Sequence, residues 1–228
     1  MSNIFVKTKG VDSWKEFLAN TEIQWQPGYS AKSLANAWES NEGFPKEIQE
    51  AFHVAHDEFI KNIEFLYGFP EYKVQIPGGA KASQNDLYVL AKSKEQLICI
   101  MVEGKVNEDF GPLVNEWVLK TNNGWDNSRL QYLIGLLGLQ EKEVGEIRYQ
   151  LLHRTASALI EAERVGTDKC MVIVHSFSQK QAHFEDYKRF LEMFSISPQV
   201  NKVCTPVHLN GKQVYFLWVV GDEKYTEH

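Results

Sequence analysis

The chain has 228 residues, of which 43% are hydrophobic, 24% charged and 12% aromatic. Its 30 acidic and 24 basic side chains give a formal net charge of −6. That mix excludes a mainly disordered, collagen-like or coiled-coil chain, and the length suits one domain whose core folds without staples. Proteins that hold nucleic acid by bulk charge are usually basic, so the acidic total counts against tight, sequence-blind binding to long duplex.

The first 70 residues read as a helical N-terminal layer. Asp12 and Ser13 can cap a helix starting at Trp14, and Ser13 with Glu16 has capping-box spacing. A short helix over 31–38 follows the Pro27-Gly28 turn. A third begins near Pro45. Its apolar positions Ile48, Phe52, Ala55, Phe59, Ile63 and Leu66 recur at steps of three and four, which predicts one continuous helical face.

Beyond residue 70 the texture changes. Residues 72–76 predict a strand ended by Pro77-Gly78-Gly79, and 86–92 and 97–105 predict two more, joined as a hairpin. Leu87, Val89, Ile98, Ile100 and Val102 share one face of that hairpin; Tyr88, Leu90, Leu97, Cys99 and Met101 share the other. A sheet apolar on both faces must be covered on both sides. Helices follow at 113–121, 128–139 and 143–165, then a buried strand at 170–175 and a helix at 184–194. Strands at 202–209 and 213–220 flank Asn210-Gly211, a hairpin signal. The expectation is a single α/β domain over 1–228, with a helical layer (1–70) and a core (72–220) built on a mixed central sheet flanked by helices.

Cys99, Cys170 and Cys204 are an odd, sparse set in apolar runs, which reads as buried thiols rather than a disulfide framework or a zinc site. The N-terminus lacks the apolar stretch of a signal peptide. The longest apolar runs, 97–102 and 215–220, are about a third of a bilayer span. A cytoplasmic protein without a membrane partner is expected.

The chemistry concentrates in the hairpin. In an antiparallel pair, opposed residues have numbers of constant sum, and a turn centred between Lys94 and Glu95 sets Asp86 across from Glu103. Lys105, two residues on, shares the face of Glu103, with Gln84 across from it. A slip of one residue would undo the placement. Two carboxylates at the mouth of a sheet suit a hard divalent cation, Mg²⁺ or Mn²⁺, and a nearby lysine can position water or neutralise phosphoryl charge. The competing reading is an Asp that ends a turn and a Glu–Lys surface ion pair.

The order of elements, with Asp86 and then Glu103-Gly104-Lys105, resembles the PD-(D/E)XK nuclease superfamily over roughly 74–176 plus the last strands. Over most of its length the chain also resembles an uncharacterised bacterial family assigned to that superfamily, in the strings GYSAKSLA, SQNDLYVL, VEGKV, RYQLLHRTASALIEAER and VHSFS. The resemblance implies a restriction-endonuclease-like αβββαβ core, Mg²⁺ dependence and a nucleic-acid partner, DNA ahead of RNA, with a homodimer open. Asp86 and Glu103 would be metal ligands, the Gly104 carbonyl a third, and Lys105 the catalytic lysine. Asn85 stands where many members have proline.

In the helix at 143–165, Gln150, His153, Arg154, Ser157 and Glu161 form a polar stripe opposite Ile147, Leu151, Thr155 and Leu159. Either the stripe is a solvated face with an Arg–Glu pair, or Gln150 and Arg154 reach the site, as the corresponding helix does in similar nucleases. His175-Ser176 fails as a catalytic pair, because neighbours in a strand point to opposite faces.

Overall fold

The computed structural model describes residues 8–18 and 20–227. A 3-10 turn at Val11–Phe17 precedes four helices: α1 (Thr21–Gln24), α2 (Ser30–Glu39), α3 (Lys46–His53) and α4 (Glu58–Lys61). A meander follows, formed by β1 (Glu64–Val74), β2 (Ser83–Ser93) and β3 (Gln96–Lys105). A long crossover carries α5 (Val114–Val118), α6 (Ser128–Leu137) and α7 (Tyr149–Val165) to β4 (Lys169–Ser176). The chain closes with α8 (Phe184–Glu192), β5 (Lys202–Val203), β6 (Val207–Leu209) and β7 (Lys212–Val220).

The strands build one mixed, open sheet in the order β1-β2-β3-β4-β7-β5, with β6 also pairing β7. β2 runs antiparallel to both β1 and β3, while β3, β4 and β7 run parallel. These three central strands are nearly continuous apolar runs because both of their faces are covered. On one face Tyr88, Met101, Val172 and Phe216 meet Leu133, Leu152 and Leu159 of α6 and α7. On the other, Val89, Ile100, Ile173 and Leu217 meet Leu34, Trp38, Ile48 and Phe52 of α2 and α3. The two faces assigned to the hairpin thus enter two separate cores. Its register also holds, from Leu87↔Val102 to Ser93↔Gln96.

Several boundaries differ from expectation. The helix begun at Pro45 stops at His53. Asp57 then accepts from the Phe59 amide (2.8 Å) to start α4, and the chain enters β1 at Glu64. The helical layer therefore ends at Lys61, and the first strand is 64–74 rather than 72–76. Pairing along β2, from Glu64↔Lys92 to Val74↔Ser83, overrides the helical period of Ile63 and Leu66. At the other end of the chain, 202–209 is two short strands, because Pro206 between them cannot donate to β7.

The helix expected from residue 143 begins at Tyr149. Residues 145–148 are tied instead to the segment before α5: Val114 N donates to Ile147 O (2.9 Å) and Asn115 N to Gly145 O (3.0 Å). Near the N-terminus, the helix expected from Trp14 is the 3-10 turn, and Ser13 Oγ donates to the Gly10 carbonyl (2.6 Å) rather than closing a capping box. Cys99 and Cys170 are buried and Cys204 half-buried, all as free thiols. Among the described residues no helix is long and apolar enough to cross a membrane.

Candidate active site

β2 and β3 bring Asp86 and Glu103 to the rim of the sheet at the carboxyl end of β3. β1 adds a third acid. The pairs Pro70↔Leu87 and Tyr72↔Asn85 bracket Glu71 and set it across from Asp86, so Glu71, Asp86 and Glu103 form a row over three adjacent strands. Like charges placed opposite one another repel, so such a row needs compensation.

For Glu103 the compensation comes from α7 and from Lys105. Lys105 Nζ lies 2.5 Å from Glu103 Oε1 and 4.8 Å from the Phe110 ring centroid. Gln150 Nε2 donates to the same oxygen (2.7 Å), and Lys105 Nζ donates to Gln150 Oε1 (3.3 Å). The Arg154 guanidinium donates through Nε to Glu103 Oε2 and through Nη1 to Ser83 Oγ (3.2 Å), and its Nη2 stands 3.7 Å from Asp86 Oδ1. Glu103, Lys105 and Arg154 are all buried, so the surface ion pair is excluded. The polar stripe of α7 is likewise buried at Arg154, Ser157 and Glu161, which excludes a solvated face. Burial alone would raise the Glu103 carboxyl, but the Arg154 and Lys105 charges outweigh it and hold the group below its usual range.

Asp86 is compensated less. Its Oδ2 accepts from the Gly104 amide (2.8 Å), and burial together with the Glu103 charge lifts its carboxyl to about 6. Burial and the Asp86 charge push Glu71 further, to about 8, although Gln84 Nε2 donates to its Oε2 (2.7 Å). His153, paired with Ser83 Oγ (2.8 Å), is held neutral by burial and the Arg154 charge.

Glu71, Asp86, Glu103, Lys105, Gln150 and Arg154 line one open cleft of about 450 Å³. Its far wall is the start of α2, at Tyr29, Ser30 and Ala31. Glu108 fixes that wall, accepting from Ser30 N (2.7 Å) and Val106 N (2.9 Å). Among the described residues no three His, Cys, Asp or Glu side chains form a metal-holding group on their own. The donor set nonetheless fits Mg²⁺, which takes one or two carboxylates and keeps several waters. Burial and neighbouring negative charge resist ionisation of Asp86 and Glu71, and a divalent cation would relieve both.

Residues 7–223 match the family described as a domain of unknown function, DUF6946. The chain belongs to that family. No curated protein and no solved structure matches it. In this DUF6946 chain all of the expected residues, Asp86, Glu103, Gly104, Lys105, Gln150 and Arg154, meet at one place. Gly104 contributes its N–H there. Sequence reasoning missed Glu71, Ser83 and Glu108. Glu71 becomes visible only once β1 is known to run past residue 70. Ser83 opens β2, but in the sequence it follows a Gly/Ala/Lys stretch with no strand pattern, and Glu108 looks like any loop acid.

His175 lies on the opposite face of the sheet from the site. Trp38 Nε1 donates to its Nδ1 (3.2 Å), so its Nε2 carries the hydrogen that meets Glu47 Oε1 (2.8 Å). Both ring nitrogens are engaged, and Ser176 Oγ accepts from Ser178 N (3.3 Å), which leaves no Ser–His pair.

Proposed function

We propose that this chain is a metal-dependent phosphodiesterase of the PD-(D/E)XK nuclease type, with the αβββαβ arrangement read in α2–α4, the β1–β3 meander, α7 and β4. The observation that carries the reading is the convergence of Asp86, Glu103 and Lys105 in one open cleft at the end of β3. Asp86 and Glu103 would hold Mg²⁺ or Mn²⁺, with the Gly104 carbonyl as a further ligand. When bound, such a cation lowers the pKa of water and stabilises charge on a phosphoryl oxygen. Lys105 orients the attacking water or neutralises a phosphoryl oxygen. Gln150 holds Lys105 and Glu103 in mutual register, and Arg154 fixes the second Glu103 oxygen. The partner in this reading is nucleic acid, DNA ahead of RNA, met in the cytoplasm, and a homodimer would be needed only for a substrate with two strands to cut.

One observation favours a second reading, a binding module that retains the fold: both Glu103 oxygens already have protein donors. Hydrolysis of DNA, RNA and a small phosphodiester in Mn²⁺ or Mg²⁺, comparing wild type with Asp86→Ala and Lys105→Ala, separates the readings. The nuclease reading expects each substitution to lower the rate by about a hundredfold or more. It also expects millimolar Mn²⁺ to raise the melting temperature of wild type but not of Asp86→Ala. Activity that survives both substitutions overturns the mechanism. Absence of both hydrolysis and a Mn²⁺ shift selects the binding module.

A further inference from the structure

The floor and the rim of the cleft differ in chemistry. The floor is charged, formed by Asp86, Glu103, Lys105 and Arg154. The rim carries apolar side chains: Tyr29 and Ile23 line it while 42% and 59% exposed, next to Ala31. Scattered exposed apolar side chains need no explanation, but a group of them around a charged cleft marks a ligand with an apolar part and an ionic part.

The charge pattern narrows the ligand. Both cations of the lining, Lys105 and Arg154, are already paired with Glu103, and Asp86 and Glu108 add negative charge, so the lining can meet one phosphate but not a row of them. Duplex binding draws on many unpaired Lys and Arg along two phosphate backbones. This cleft offers nothing of that kind, and about 450 Å³ is the size of a small-ligand pocket. Tyr29 is also well placed as a platform. Its carbonyl accepts from both Ser33 N (3.1 Å) and Ser33 Oγ (2.9 Å), and Glu108 ties the next residue to the loop after β3, so rim and floor keep a fixed spacing. A rigid aromatic stacks on a base at low entropic cost.

We propose that the cleft takes one unpaired nucleotide of a single strand, with its base against Tyr29 and Ile23 and its phosphate against Lys105 and Gln150. The inference rests on the phosphodiester reading for the placement of the phosphate. It adds the strandedness of the substrate and the residues that set it.

Fluorescence anisotropy tests this without turnover, using a labelled ten-nucleotide single strand and its blunt duplex in Ca²⁺ and in EDTA. The strand is expected to bind at least about tenfold more tightly than the duplex. Tyr29→Ala should weaken strand binding about tenfold, Ile23→Ser should weaken it in the same direction, and Tyr29→Phe should retain it. Raising salt from 50 to 200 mM should cost less than about tenfold, since few phosphates are neutralised. Melting curves confirm that each variant is folded. Equal binding of duplex and strand, or indifference to both Tyr29→Ala and Ile23→Ser, overturns the inference. So does a free mononucleotide that competes as strongly as the strand. Strand preference with no hydrolysis in Mn²⁺ ends the nuclease reading and leaves this one standing.

Discussion

Both oxygens of Glu103 are claimed by protein donors, Oε2 by Arg154 and Oε1 by Lys105 and Gln150. Removing one partner of a buried ion pair leaves an uncompensated charge, whose cost exceeds the net value of the pair. Arg154→Ala should therefore destabilise the protein by about 3–5 kcal/mol in urea unfolding, and Arg154→Lys by less, since the charge survives without the fork. A loss below about 1 kcal/mol for Arg154→Ala would show that Lys105 and Gln150 suffice. At this scale the sequence was a good guide to identity and a poor one to environment. The types and spacing of Gln150 and Arg154 marked them as candidates, but helical periodicity says only that they share a face, not that the face is buried against β2 and β3.

Among the elements, the β2–β3 hairpin was legible because a short turn fixes register and both strands carry unbroken apolar runs. β1 was not. Its first half continues the spacing of α3, and only pairing with β2 makes it a strand. The helical layer is pinned to the sheet by a polar contact that hydrophobic pattern cannot reveal, the chain from Trp38 through His175 to Glu47. Trp38→Phe would leave His175 Nδ1 buried without its donor, and should cost about 1–3 kcal/mol on top of any packing loss. The same substitution in a His175→Phe background should cost less. Equal costs in both backgrounds, measured as a double-mutant cycle, would reduce Trp38 to packing alone.

For the molecule as a whole, the acid row makes stability depend on pH. Glu71 is raised in the fold from 4.5 to about 8. The native state then binds its proton more tightly than the unfolded chain, so this group's contribution falls as pH rises through the interval between those values. Asp86, raised from 3.8 to about 6, acts in the same direction at lower pH. His153, lowered below 6.5, acts oppositely, and its contribution is complete only above that pH. The difference in unfolding free energy between wild type and Glu71→Gln isolates the first term, and should decline from pH 5 to pH 8. A difference that stays flat would show that Glu71 titrates normally. Mg²⁺ should oppose the decline in wild type.

The two flanks of the sheet carry a further consequence, for assembly. β1 is an outer strand of eleven residues, but its register shifts between Phe65 and Tyr67, Pro70 lacks an amide hydrogen, and Glu71 takes a left-handed turn at φ 50°. These three interruptions break the row of free backbone groups that another strand would need as a template. At the opposite flank β5 is two residues long. Among the described residues neither margin offers an uninterrupted run on which a second chain could extend the sheet, so the long outer strand is guarded against fibrous growth.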